Sequence, residues 1–294
     1  MIDRLRFTTL FLIAMLATGV CVAQNDSLES PTFPVLIGPY LGQKPPRMTP
    51  EVFAPGIVST DLNEHGCTVS PDGEEFYFTR ILDNIPTIMC TRQVDGSWSI
   101  PRVVTFSGNH LDRLPQISPD GTTIYFQSRR SGQKLRPPRE VSIWVTTRTS
   151  SGDWSEPYPL VADLGTRHAG ISVAVANSGT LYASGIVRLH SENGEYAKPE
   201  KLAPHLKGTY PFIAPNESYI VYCSGKERDL VVSFRQPDDS WTEPQLLLVQ
   251  QEPFWTQGFP TVSPDGKYLF FTADHDIYWV STEIFEQLKP DELK

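Results

Sequence analysis

The stretch Ser70-Pro71-Asp72-Gly73-Glu74-Glu75-Phe76-Tyr77-Phe78 joins a tight turn to an aromatic run, and it recurs along the chain. Ser118-Pro119-Asp120-Gly121 precedes Ile124-Tyr125-Phe126, and Ser263-Pro264-Asp265-Gly266 precedes Tyr268-Leu269-Phe270-Phe271. Two eroded copies lie between them: Ala176-Asn177-Ser178-Gly179 before Leu181-Tyr182, and Ala214-Pro215-Asn216-Glu217 before Tyr219-Ile220-Val221-Tyr222. Proline presets φ, Asp caps its own turn and Gly accepts positive φ, so each copy is a reverse turn feeding a strand. The copies start at 70, 118, 176, 214 and 263, a period of about 48 residues that belongs to four-stranded propeller blades.

A second turn recurs downstream, as Asp95-Gly96-Ser97-Trp98, Ser151-Gly152-Asp153-Trp154, Asn193-Gly194-Glu195-Tyr196 and Asp238-Asp239-Ser240-Trp241, each with a proline three residues on. The order within a unit follows. Strand a ends at the first turn and strand b is the aromatic run. Strand c is a segment such as Ser142-Ile143-Trp144-Val145 or Asp276-Ile277-Tyr278-Trp279-Val280, and strand d follows the second turn. The last unit lacks strand d, and Glu51–Ser59 at the other end of the chain is its candidate. Pairing the two ends closes the ring and removes exposed sheet edges. The expected fold is therefore all-β, a single propeller of five four-stranded blades, with six as the alternative if residues 30–50 or the tail contribute more.

The repeated Ser-Pro-Asp-Gly turn with its aromatic strand, together with a c strand such as Asp276–Val280, resembles the WD-like propeller repeats of TolB-type exported bacterial proteins over residues 50–282. That resemblance implies a binding scaffold used in many settings and no single reaction.

Composition agrees with a strand-rich chain. Among 294 residues there are 26 Pro, 20 Gly, 15 Phe, 11 Tyr and 6 Trp but 4 Met, which disfavours long helices. The net charge is −9, a poor match for a phosphate backbone, so no nucleic-acid partner is expected. Residues 1–23 read as a secretory signal: Arg4 and Arg6, an apolar run from Phe7 to Val20, then Cys21-Val22-Ala23. The run is shorter than the roughly 20 residues that span a bilayer. Lipidation of Cys21 is disfavoured by the bulky Val20 before it. Residues 24–49 then read as a linker, 50–282 as the propeller and 283–294 as a tail. The expected product is a periplasmic or secreted monomer without a transmembrane segment. Cys67, Cys90 and Cys223 sit in apolar or β-branched runs and suggest buried thiols rather than a disulfide framework.

The a–b and c–d turns share one face of the disc and are short and uniform. The b–c and d–a connections share the other, where longer and more varied loops place binding residues. Residues just before strand a surround the channel mouth. They define a ligand-binding set of Glu64, His65, Asp112, Arg113, Arg167, His168, Lys207, Tyr210, Trp255 and Gln257. His65, His110, His168 and His205 come from successive blades and are candidate metal ligands, although no HxH or HExxH spacing accompanies them. Glu64 and Asp112 occupy equivalent repeat positions and are the candidate acid and base of a carbohydrate-active enzyme. The blade-two loop Arg129–Arg139 carries five cations, Arg129, Arg130, Lys134, Arg136 and Arg139, and could receive an anionic glycan or protein. No GxSxG elbow, P-loop or dinucleotide fingerprint is present, and no cofactor is implied. The sequence thus points to a non-catalytic scaffold that recognises a glycan or protein at the mouth. A glycoside hydrolase or polysaccharide lyase is the alternative.

Overall fold

Each Ser-Pro-Asp-Gly turn is closed by its own side chains. Ser70 Oγ donates to Asp72 Oδ1 and accepts from the Glu75 amide at 2.8 Å, while Gly73 takes a φ of 76° that would strain a residue bearing a side chain. Ser118 and Ser263 make the same pair of bonds. These aspartates are therefore turn formers, spent on the loop they shape.

The computed structural model describes residues 33–130, 141–160, 172–192, 195–224, 229–247 and 257–294. The chain divides into Met1–Pro34 and Val35–Lys294, and the propeller occupies the second unit. The leader assigned to residues 1–23 lies outside the described residues.

Five antiparallel sheets follow in chain order, their strands a to d running outward from the channel. Blade 1 comprises Glu64–Val69, Glu75–Leu82, Ile85–Val94 and Arg102–Val103, with Ser97–Trp98 folded back as a hairpin on strand c. Blade 2 comprises Asp112–Ile117, Thr123–Ser128, Ser142–Thr147 and Tyr158–Pro159. Blade 3 is the smallest, with Val173–Val175, Leu181–Ala183, Val187–Leu189 and Glu200–Lys201. Blade 4 comprises Gly208–Ile213, Tyr219–Ser224, Asp229–Phe234 and Gln245–Leu246. Blade 5 takes Gln257–Val262, Tyr268–Ala273 and Asp276–Ser281 from the C-terminal end and Glu51–Val52 from the N-terminal end.

The closing strand is shorter than the sequence suggests. Only Glu51 and Val52 pair, opposite Trp279 and Tyr278. Beyond them Ala54 at φ 44° and Gly56 at φ 77° turn the chain away. Side chains supply the rest of the closure: Phe53 is fully buried, with ring centroids 4.7 Å from Phe76, 5.1 Å from Phe270 and 5.1 Å from Trp279. Burying such a ring contributes about 1.5–3 kcal/mol.

The core consists of layers between blades. Five separate buried clusters each join two neighbouring blades, the fifth uniting blades 5 and 1. Strand b shows why the aromatic run is needed: Phe76 and Phe78 face the blade 5 side, and Tyr77 between them faces blade 2. Alternate side chains point to opposite faces of a strand, so a blade buried on both faces needs apolar residues at consecutive positions.

The stretches flanking the ring are packed on it. Tyr40 packs edge to face against Tyr268 and tilted against Trp279, Leu41 is buried, and Trp98 Nε1 donates to the Gly38 carbonyl at 2.8 Å. The tail forms a short helix, Glu283–Leu288, that buries Ile284 and Phe285 against blades 4 and 5. Neither adds a sixth blade. Cys67, Cys90 and Cys223 are buried, and among the described residues none of them forms a disulfide. Among the described residues no helix is long and apolar enough to cross a membrane.

Candidate functional site

Strand a carries a feature that recurs around the channel. Gly66, Leu114, Tyr210 and Phe259 all lie at φ between 52° and 56°, and the register with strand b slips beside each of them. These are β-bulges, and at the three non-glycine positions the left-handed backbone costs roughly 1–2 kcal/mol. Proline follows at Pro115, Pro211 and Pro260, residues with no N–H to give to the ladder. The displaced amides find partners one blade back. Gly66 N donates to Thr272 Oγ1 at 2.9 Å, Leu114 N to Thr79 Oγ1 at 2.9 Å and Tyr210 N to Ser184 Oγ at 3.2 Å. The hydroxyl near the end of strand b is thus an inter-blade lock.

The bulge residues line one small space. Gly66, Leu114, Tyr210 and Phe259 enclose a space of about 20 Å³, too small for more than one water. Tyr210 and Phe259 meet edge to face at 4.5 Å, and His65 lies 5.6 Å from Phe259. The d–a end of the channel is therefore stoppered by aromatic and aliphatic groups.

Around this stopper sit residues singled out from the sequence. His65 is buried, 3.4 Å from Asn63 Oδ1, and Asn63 Nδ2 is 2.8 Å from His275 Nδ1. Burial first, then the charges of Arg113 and His275, lower its pKa to about 4, so the ring is neutral at pH 7. Arg113 is half-buried and donates through Nε to Gln127 Oε1 at 2.8 Å. Burial lowers its pKa, Tyr210 raises it and Arg129 lowers it. Among the described residues no carboxylate forms an ion pair with it. Lys207 is exposed and Tyr210 half-buried. Arg167, His168 and Trp255 lie outside the described residues, as does the side chain of Gln257. Of the cationic loop only Arg129 and Arg130 are described.

Glu64 and Asp112 are both fully buried, and each is held by an arginine from the far end of strand b in its own blade. Glu64 Oε1 accepts from Arg80 Nε at 2.6 Å and from Thr60 Oγ1 at 2.7 Å, and Oε2 accepts from the Thr60 amide at 3.1 Å. Arg80 also donates to the carbonyls of Ile57 and Val58. In blade 2, Arg130 Nη2 donates to Asp112 Oδ2 at 2.8 Å and to the Phe106 carbonyl at 2.7 Å. Each guanidinium lies over an aromatic ring, Arg80 on Phe78 and Arg130 on Phe126 and Trp144. A carboxylate, an arginine and loop carbonyls thus staple the d–a loop to its blade twice. Asp112 Oδ1 has no partner among the described residues.

The histidines diverge. His110 is exposed, and His205 Nε2 contacts the Thr242 carbonyl at 3.2 Å. Among the described residues no three His, Cys, Asp or Glu side chains form a group that could hold a metal.

At the opposite end, beside the Ser-Pro-Asp-Gly turns, the channel opens into a cavity of about 280 Å³ lined by all five blades. Gln116 borders both this cavity and the small space behind the stopper. Short, uniform turns edge this face, and the larger channel cavity lies there. A further groove of about 450 Å³ runs along the rim between blades 1 and 2, past Arg92, Arg102 and Trp154. Two features escaped the sequence reading. The bulge is legible in retrospect as Leu114-Pro115, Tyr210-Pro211 and Phe259-Pro260 at one repeat position. Partners such as Arg80, Asn63 and His275 carry no such signal.

No protein-family model and no curated protein matches the chain. Solved structures do resemble it. TolB from Acinetobacter baumannii is 14% identical, with 77% of this chain and 56% of that one covered and a TM-score of 0.50. XC5397, a gluconolactonase from Xanthomonas campestris, is 14% identical over 85% of this chain and 97% of that one, with a TM-score of 0.46. A periplasmic gluconolactonase from Pseudomonas aeruginosa is 12% identical over 70% and 64%, with a TM-score of 0.45. At such identities the TolB likeness concerns the propeller fold alone, and this chain spans 56% of the length of that TolB.

Proposed function

We propose that this chain is an exported β-propeller that binds, without transforming, a ligand or partner bearing a carboxylate at the d–a mouth of its channel. Arg113 carries the reading. A half-buried guanidinium has lost part of its hydration, and among the described residues its one hydrogen-bonded partner is the neutral side chain of Gln127. Arginine stays charged at neutral pH and offers five donors in a planar fork, so an incoming carboxylate would restore the missing counter-charge and hydrogen bonds. His65 and Tyr210 lie close enough to Arg113 to interact with its charge; Arg167, His168, Lys207 and Trp255 precede strand a in their own blades, and Gln257 begins it.

The propeller fold is compatible with a binding scaffold or with an enzyme. Against a catalytic pair at Glu64 and Asp112 stands the use of both carboxylates: each is buried and ion-paired in a loop staple, where a general acid or base must reach substrate. We therefore assign them to architecture. Export rests on the leader at residues 1–23.

The test is calorimetric titration of glucuronate and a short polyuronate into wild type and Arg113→Gln. A charge-assisted hydrogen bond is worth about 1.5–3 kcal/mol, so the variant should bind roughly 10- to 100-fold more weakly at unchanged stability. Equal affinity of the two proteins would overturn the assignment, and release of a cleaved product would restore the enzymatic reading.

A further inference from the structure

The cavity on the Ser-Pro-Asp-Gly side has a chemistry different from that of the mouth. Among the described residues its lining contains no charged side chain. An ion entering it would shed water and meet no counter-charge, which strongly disfavours anions and cations alike. Neutral ligands are the class the lining admits.

Four polar side chains border this cavity without a hydrogen bond to any described residue: the Gln116 amide of blade 2, the Asn177 amide of blade 3, the Tyr219 hydroxyl of blade 4 and the Thr261 hydroxyl of blade 5. Ser118 and Ser263, also on the wall, are already spent on their turns. Burial raises the pKa of Tyr219, so the phenol keeps its proton. Each of the four groups can both donate and accept. A sugar hydroxyl, which itself donates and accepts, can use both capacities of each group, whereas a carboxylate uses only their donors and an ammonium only their acceptors.

The remaining wall is apolar, with Val69, Ile117, Val175 and Phe212 from four different blades. Pyranose rings present C–H faces between their hydroxyls and so match a lining in which apolar surface alternates with isolated polar groups. The volume of about 280 Å³ lies just below the usual range of about 300–1,000 Å³ for ligand pockets, room for one ring rather than an oligomer. We propose that this end of the channel is a second binding site, selective for a single neutral hexopyranose unit and independent of Arg113.

The experiment is saturation-transfer NMR and calorimetry with methyl glucoside, methyl galactoside and the methyl glycoside of N-acetylglucosamine, each compared with glucuronate. Tyr219→Phe and Thr261→Val remove one oxygen apiece with almost no change in shape. Because neither hydroxyl bonds to described residues, both variants should melt like wild type. Each should weaken the neutral glycoside about 2- to 10-fold, as expected for one neutral hydrogen bond. Arg113→Gln should leave neutral-sugar binding unchanged, which separates this site from the mouth. The proposal is overturned if none of the three glycosides binds at about 10 mM, well above a Kd of ~1 mM. It is equally overturned if binding is indifferent to both isosteric variants, or if glucuronate competes for the same site as an equal.

Discussion

Replacing Glu64 by alanine should expose what the buried carboxylates are for. The substitution removes three hydrogen bonds accepted by the carboxylate, from Arg80 Nε, Thr60 Oγ1 and Thr60 N. It leaves the Arg80 guanidinium, whose side chain is 12% exposed, with only the carbonyls of Ile57 and Val58. Removing one partner of a buried ion pair costs about 3–5 kcal/mol, because the surviving charge stays desolvated. For a domain of this size each kcal/mol moves the melting point by roughly 2–4 °C, so the expected drop is about 6–20 °C. Urea denaturation followed by circular dichroism measures the loss directly, and Arg80→Ala with the double variant completes a thermodynamic cycle. The double variant should cost clearly less than the sum of the single ones. A cost for Glu64→Ala below about 1 kcal/mol, the range of surface pairs, would refute the staple. Loss of ligand binding at wild-type stability would return Glu64 to the site.

Acidification should destabilise the fold through His65. Its folded pKa near 4 lies below the ordinary value of about 6.5, so between those pH values the unfolded chain binds the proton and the folded chain does not. Stability contributed by the neutral ring is present above about pH 6.5 and falls by up to about 3 kcal/mol as pH drops toward 4. In His65→Gln, melting followed over pH 4–7 should show that slope flattened. Thr79→Val leaves the Leu114 amide without the acceptor it has at 2.9 Å. The expected cost is about 1–3 kcal/mol, with faster hydrogen exchange at that amide. Gly208→Ala places a Cβ 2.2 Å from the Cys223 carbonyl oxygen and 2.5 Å from Tyr222 Cδ2. Backbone crowding of this kind should cost about 1–3 kcal/mol by thermal melting.

That glycine shows why equivalent repeat positions differ. Blades 1 and 2 have room at the start of strand a for a stapling carboxylate, whereas blade 4 brings Tyr222 against the same point. A sequence comparison registers Glu64, Asp112 and Gly208 as drift. The neighbouring strand of its own blade leaves room at Gly208 for a glycine alone.

Turn chemistry and strand alternation are local, set by residues within a few positions of one another, and so the sequence alone determined the reverse turns, the aromatic b strands and closure by the N-terminal segment, while the choice of five blades over six came from the structure. Glu51 pairs with Trp279 as that reading requires, although Phe53 holds the seam more than the strand does. Tertiary structure decided the chemistry of the two channel ends. It set Arg80 against Glu64, Arg130 against Asp112, and Thr79 of one blade beneath Leu114 of the next. It stoppered the d–a end with Tyr210 and Phe259 and left the opposite cavity lined by all five blades. These contacts join residues far apart in the chain, brought together by the curvature of a closed ring. The period of a repeat records that blades are alike, whereas each end of the channel depends on how blades that are unlike meet.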